Sequence, residues 1–253
     1  MAIIRKHPFA VKAYFEKSVV LSYAVPLKEL KKMIPECLTV DSFQDKWGFV
    51  AVAMVDTKNL RPSFFPKALG HDFFLTGYRI FVRYVNRRHK RLRGLYILKS
   101  ETDKSKMLRL GNLFTNYKYD LIDINRSKDG DVHHLMSAKA GFSLSYRQTH
   151  SSEDQNCLLP KDSPFTNWKE ARRFAGPMPF TFSYNPIDKT VMTVQGVRSA
   201  WKPKPIEVKE HYFKFLNDFN FSQIILASAF EIKNVPYQWK KGIIEPWKNE
   251  AAF

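Results

Sequence analysis

The run "GYRIFVRYVNRRHKRLRGLYILKS", residues 77–100, limits what this chain can fold into more than any other stretch. Before its basic centre, Tyr78, Ile80, Val82 and Tyr84 share one face of an extended chain, and Arg79, Phe81, Arg83 and Val85 share the other. After it, Leu95, Ile97 and Lys99 share a face, with Tyr96, Leu98 and Ser100 opposite. Aromatic and β-branched residues at a period of two predict strands. The two runs form a hairpin, and Gly94 marks the return. Arg87, Arg88, Lys90, Arg91 and Arg93 then crowd the connection at 86–94. They are read as its solvated tip, since charged ends keep sheets from associating. A polyanion-binding arm is the alternative use of the same residues.

Charge does not favour the arm. Removing those five basic residues lowers the formal net charge only from +17 to +12, so the excess is spread along the chain. Dispersed lysines give solubility and weak, non-specific attraction to polyanions rather than a shaped stripe. The 21 Phe and 11 Tyr suit a large sheet core better than base stacking.

With 253 residues the chain can bury a large core without staples. Cys37 and Cys157 form no CxxC and no metal spacing, which suits a reducing compartment. No stretch approaches the ~18 apolar residues of a membrane span, and the first 25 residues lack a signal-peptide core. A cytoplasmic protein without membrane or specific nucleic-acid partners is expected.

Other segments fit the same picture. "SVVLSYAV" and "FVAVAMVD" read as strands, and "FTFSYN" and "TVMTVQGV" as a hairpin around "PIDK". Three extended runs are expected over 119–148, and "SAFEIKNVPYQW" is expected to be a late strand. Short helices are expected at "LKELKKMI", at "TDKSKMLRLGNLF" with Thr102 or Asp103 as its cap, at "NWKEARRF" with Asn167 and Glu170 as a capping box and Gly176 as its stop, and within 204–219. "HSSEDQNCLLPKDSPF" reads as a polar loop. The sum is one mainly antiparallel β domain over 1–253 with a few short helices, a barrel or curled sheet that removes its edges.

Chemistry is sparse. His133 and His134 are strand neighbours that point to opposite faces, so no metal site is expected, and no nucleotide or cofactor motif is present. Arg79 sits within a strand and Lys99 in line with apolar residues; "TNYKYDL" brings Tyr117, Lys118 and Tyr119 together. Two phenols and cations around a cavity would suit a small carboxylate or carbonyl ligand. Each also has an ordinary reading as a strand residue or as a lysine reaching solvent.

"VPLKELKKMIPECLTVDSF", "GYRIFV", "RGLYILKSETD" and "LGNLFTNYKYD", in that order, resemble the YqjF-like family, a domain of unknown function related to acetoacetate decarboxylase. The resemblance implies a mainly β fold, a closed, cone-like antiparallel β-barrel with a flanking sheet and a few short helices, whose interior cavity is faced by a strand arginine, here Arg79. It also implies a position for the nucleophile: in acetoacetate decarboxylase the first lysine of a Pro-Lys-Lys run, after a Gly-Arg pair, forms a Schiff base. Matching Gly111-Asn112 to that pair puts Lys118 at the proline, Tyr119 at the nucleophile and Asp120 at the second lysine. Three functions remain open: a lyase- or hydrolase-type enzyme without the lysine pair, a non-catalytic ligand-binding or sensor module, and a weak polyanion binder.

Overall fold

The computed structural model describes residues 7–149, 159–176, 178–199 and 201–247. Fourteen strands are present among them: β1 (Val11–Pro26), β2 (Thr39–Val40), β3 (Trp47–Pro62), β4 (His71–Val85), β5 (Arg91–Thr102), β6 (Tyr119–Leu121), β7 (Asn125–Asp129), β8 (Val132–Ser137), β9 (Phe142–Gln148), β10 (Phe180–Asn185), β11 (Thr190–Arg198), β12 (Lys204–Phe213), β13 (Ile225–Trp239) and β14 (Ile243–Pro246). The helices are short: α1 (Leu27–Lys31), α2 (Ser105–Phe114), α3 (Trp168–Phe174) and α4 (Lys214–Asn217).

Seven strands close on themselves in the order β1-β3-β4-β5-β10-β11-β13, and β13 returns to β1. The closing contact sets Gly196, Val197 and Arg198 against Trp239, Gln238 and Tyr237. The ring is not wholly antiparallel as expected, because β10 runs parallel to β5, with Phe180 opposite Gly94. A Cβ at Gly94 would meet the Phe180 carbonyl, so this pairing depends on glycine. Strands β7, β8, β9 and β12 form the flanking sheet, joined through β12 to β13.

The apolar run of β3 follows from this layout. Phe49, Ala51, Ala53 and Val55 point into the ring, while Val50, Val52 and Met54 point out against Phe142, Leu144 and Tyr146 of the flanking sheet. A strand covered on both faces reads as continuously hydrophobic. One end of the ring is filled by Phe49, Phe165 and Phe174, with Phe49 and Phe165 stacked at 5.3 Å. The other end is covered by α2 and the segment after it, through Met107, Leu108, Tyr117 and Tyr119. Between the ends, Ala51, Ala53 and Gly77 leave room.

Local departures have local causes. Thr102 still belongs to β5, and Asp103 Oδ1 accepts from the Phe74 N–H at 2.7 Å, so neither caps α2; Lys104 holds that place without a side-chain bond. Asn167 does cap α3, accepting from the Glu170 N–H at 2.9 Å, while Glu170 reaches back to the Thr166 N–H. Most of the helix expected within 204–219 is strand β12, and only α4 is helical. Residues 150–158 of the expected loop, including Cys157, lie outside the described residues. No helix among those described is long and apolar enough to cross a membrane.

His211 links the flanking sheet to the ring: its Nδ1 lies 3.0 Å from the Tyr23 hydroxyl. His211 is itself exposed, and partial desolvation of its ring against Tyr23 holds its pKa below the ordinary value. The unfolded chain therefore binds the proton first as pH falls through about 6.5, and stability that is complete above that pH is lost below it. Thermal melts from pH 7.5 to 5.5 should show the wild type losing more stability than His211→Gln. Parallel profiles for the two proteins would refute this.

Candidate functional site

Arg79 points into the ring at mid-height, opposite Ala51 on β3 and Ile97 on β5. Protein surrounds it, yet the residue is only partly buried. Its guanidinium lies on Gly77, where a Cβ would come within 2.7 Å of Nη2 and 2.9 Å of Nε. Burial pulls its pKa down, opposed by the phenol oxygens of Tyr237, Tyr119 and Tyr117. Burial in turn raises all three phenols, so at neutral pH they are uncharged hydroxyls able to donate.

A second guanidinium enters from the ring closure. Arg198, opposite Tyr237 across β11 and β13, donates from Nη2 to the Met178 carbonyl at 2.9 Å. It stacks over Trp201 at 4.7 Å and Tyr237 at 5.4 Å. Burial lowers its pKa too, and Arg79 adds to that lowering. Among the described residues neither arginine has a carboxylate within ion-pairing distance.

Glycines make the arrangement possible. The Tyr237 hydroxyl sits over Gly196 as Arg79 sits over Gly77, and the Tyr119 ring lies on Gly111, where a Cβ would come within 2.5 Å. Asn112 holds Tyr119 from both sides, Nδ2 donating to its carbonyl and Oδ1 accepting from its N–H, each at 2.8 Å. The position that the resemblance gives to the nucleophile is thus rigidly presented next to Arg79, but it carries a phenol.

Of the residues singled out from sequence, Arg79, Tyr117 and Tyr119 come together. Lys99 and Lys118 do not join them. The register of β5 shifts so that Tyr78 faces Lys99 and Arg79 faces Ile97, and this bulge turns Lys99 to the outer face. There it pairs with the buried Glu101 at 2.8 Å and with Asp120 at 3.5 Å, over the Phe215 ring. Lys118, at φ 51°, is exposed between two buried tyrosines. No lysine among the described residues is buried. In the basic hairpin, Arg87, Arg88, Lys90 and Arg91 are exposed, whereas Arg93 is held by Asp41 and by the Phe174 carbonyl. His133 stacks on Tyr146 and His134 meets Ser145, and no cluster of three metal-ligating side chains occurs among the described residues. Burial raises the Cys37 thiol to about 12, which leaves it un-ionised.

Arg198 and Tyr237 were not legible as site residues. A weak signal existed: Gly77-Tyr78-Arg79 and Gly196-Val197-Arg198 share a Gly-x-Arg spacing inside strands, where glycine marks a close approach. Gly77→Ala should leave the fold intact, because the group it displaces is the end of a flexible side chain. A strand alanine is at least as favourable as glycine. Melting should be unchanged or slightly raised while carboxylate binding falls by about tenfold or more, roughly 1.4 kcal/mol. Unchanged binding would mean that the Arg79 pose does not matter.

The ring and its flanking sheet have an acetoacetate decarboxylase-like fold. Acetoacetate decarboxylase from Legionella pneumophila subsp. pneumophila str. Philadelphia 1 superposes with a TM-score of 0.60 at 10% identity, covering 97% of this chain and 90% of that one. A second acetoacetate decarboxylase structure gives 0.56 at 14% identity, with 94% and 90% covered. The enduracididine biosynthesis enzyme MppR, complexed with pyruvate, gives 0.54 at 10% identity, with 96% and 91% covered. No curated protein matches in sequence. The chain belongs to the DUF2071 family, described as "Uncharacterized conserved protein", which matches residues 12–232.

Proposed function

We propose that the ring interior binds a small compound bearing a carboxylate or carbonyl, held by Arg79 and Arg198 and oriented by the hydroxyls of Tyr117, Tyr119 and Tyr237. The observation that carries this is the pair of enclosed guanidiniums without a carboxylate partner. A buried charge is costly unless paired, and an anionic ligand supplies the missing counter-charge with bidentate geometry. A protein of similar fold, MppR, has been captured with pyruvate, a compound of this chemical class.

The donor set also bounds the chemistry. A ligand carbonyl among neutral phenols and guanidiniums would be polarised without a covalent bond. An imine route needs an amine whose pKa is depressed by burial or by a neighbouring cation. Lys99 instead sits beside two carboxylates and Lys118 is exposed. Calorimetric titration with pyruvate, acetoacetate and acetone, followed by borohydride treatment and mass spectrometry, tests this reading. The two acids should bind, the neutral ketone should not, and no reduced adduct should form. A stoichiometric lysine adduct, or binding indifferent to the carboxylate, would overturn it.

A further inference from the structure

Behind Tyr117 and Tyr119 lies a cavity far larger than a pyruvate-sized ligand needs. It has a volume of about 760 Å³ and shares Tyr117 and Tyr119 with the Arg79 cluster. Its wall is overwhelmingly carbon, from residues such as Leu60, Phe73, Leu110, Phe114 and Trp239. Its mouth lies between the 62–70 loop and α2, where Phe64, Phe65 and Leu69 are exposed.

Three buried polar groups interrupt this wall: His7 Nδ1 and Thr57 Oγ1, without a hydrogen-bond partner among the described residues, and the Tyr117 hydroxyl, which meets Thr181. Their residues are only 5%, 1% and 8% exposed. His7 is fixed in place, its N–H donating to the Phe114 carbonyl and its own carbonyl accepting from Gly242. Unpartnered buried polar groups are rare and call for an explanation. Three polar groups on the lining of one apolar cavity match a common build of ligand sites: a carbon wall of ~300–1,000 Å³ with a few convergent polar groups that fix orientation.

We infer that the preferred ligand is a monocarboxylate with a bulky apolar body, an acyl chain or aryl group, that fills this cavity while its carboxylate lies toward Arg79 past Tyr117 and Tyr119. The inference rests on the carboxylate reading of the arginine pair and adds the apolar body. The oxygen-bearing head meets the polar atoms at the inner end, and the body covers the carbon wall. Each methylene taken from water into such a wall should tighten binding about fourfold.

The experiment is a calorimetric series of butyrate, hexanoate, octanoate and phenylbutyrate, with octanol as the uncharged control. Affinity should rise with each added methylene, reaching roughly two-hundredfold from butyrate to octanoate. Octanol should bind far more weakly than octanoate. Leu60→Trp, which fills the cavity, should abolish the chain-length gain. Leu110→Trp, at a half-exposed position on the rim, keeps the test valid should the first variant fail to fold. Butyrate and octanoate binding equally would overturn the inference while leaving the arginine site standing. Octanol matching octanoate would overturn the carboxylate anchor, and no binding by any acid would overturn both.

Discussion

Replacing Arg83 and Arg93 together by alanine is expected to destabilise the protein by about 3–5 kcal/mol, more than replacing their shared partner Asp41. Asp41 is 0% exposed, and its two oxygens take Arg83 Nε and Arg93 at 2.5 Å each. Arg93 also donates to the Phe174 carbonyl at 2.8 Å, tying α3 and its aromatic plug to the β4–β5 hairpin. The asymmetry comes from exposure. Without the arginines, a fully buried carboxylate loses both counter-charges. Without Asp41, the two guanidiniums, 45% and 38% exposed, can turn to water. Asp41→Ala should therefore cost only about 1–3 kcal/mol. At ~2–4 °C of melting temperature per kcal/mol for a chain of this size, the double variant should melt roughly 6–20 °C lower. Melting curves showing Asp41→Ala as the more damaging change would refute the account.

The same hairpin shows what was legible in the sequence and where legibility ended. Alternation placed Tyr78, Ile80, Val82 and Tyr84 on one face, and all four are buried there. It failed at Lys99, because one extra residue in β5 reverses the faces beyond Ile97 and leaves no mark in a period-two pattern. Pairings between distant segments, such as β5 with β10 or β11 with β13, depend on contacts no local window contains. That is why Arg198 and Tyr237, brought together only by the β11–β13 closure, could not be picked out from any local window. The resemblance reached further, to the fold, since order and spacing of segments carry long-range information that composition lacks.

Arg79→Ala is expected to weaken carboxylate binding by about 2–5 kcal/mol, roughly thirtyfold to several thousandfold, without weakening the fold. Most substitutions of enclosed, ordered side chains destabilise. Arg79 should not, because the folded state gains little from it: burial disfavours its charge, Arg198 is close by with the same sign, and no carboxylate among the described residues offsets either. Removing one of two like charges relieves repulsion, and Arg79 is itself only partly buried. The melting temperature should hold or rise. Arg79→Lys separates charge from shape: it keeps the cation and loses the planar fork, so its binding loss should fall between wild type and alanine. Arg198→Ala should lose less, because the Met178 carbonyl and the Trp201 ring already engage that guanidinium, leaving less of it for a ligand. An Arg79→Ala protein that melts several degrees lower and still binds the acid would make Arg79 a structural residue. A fold that improves when its enclosed cation is removed, and loses its ligand in the same step, is one in which that cation is kept for binding.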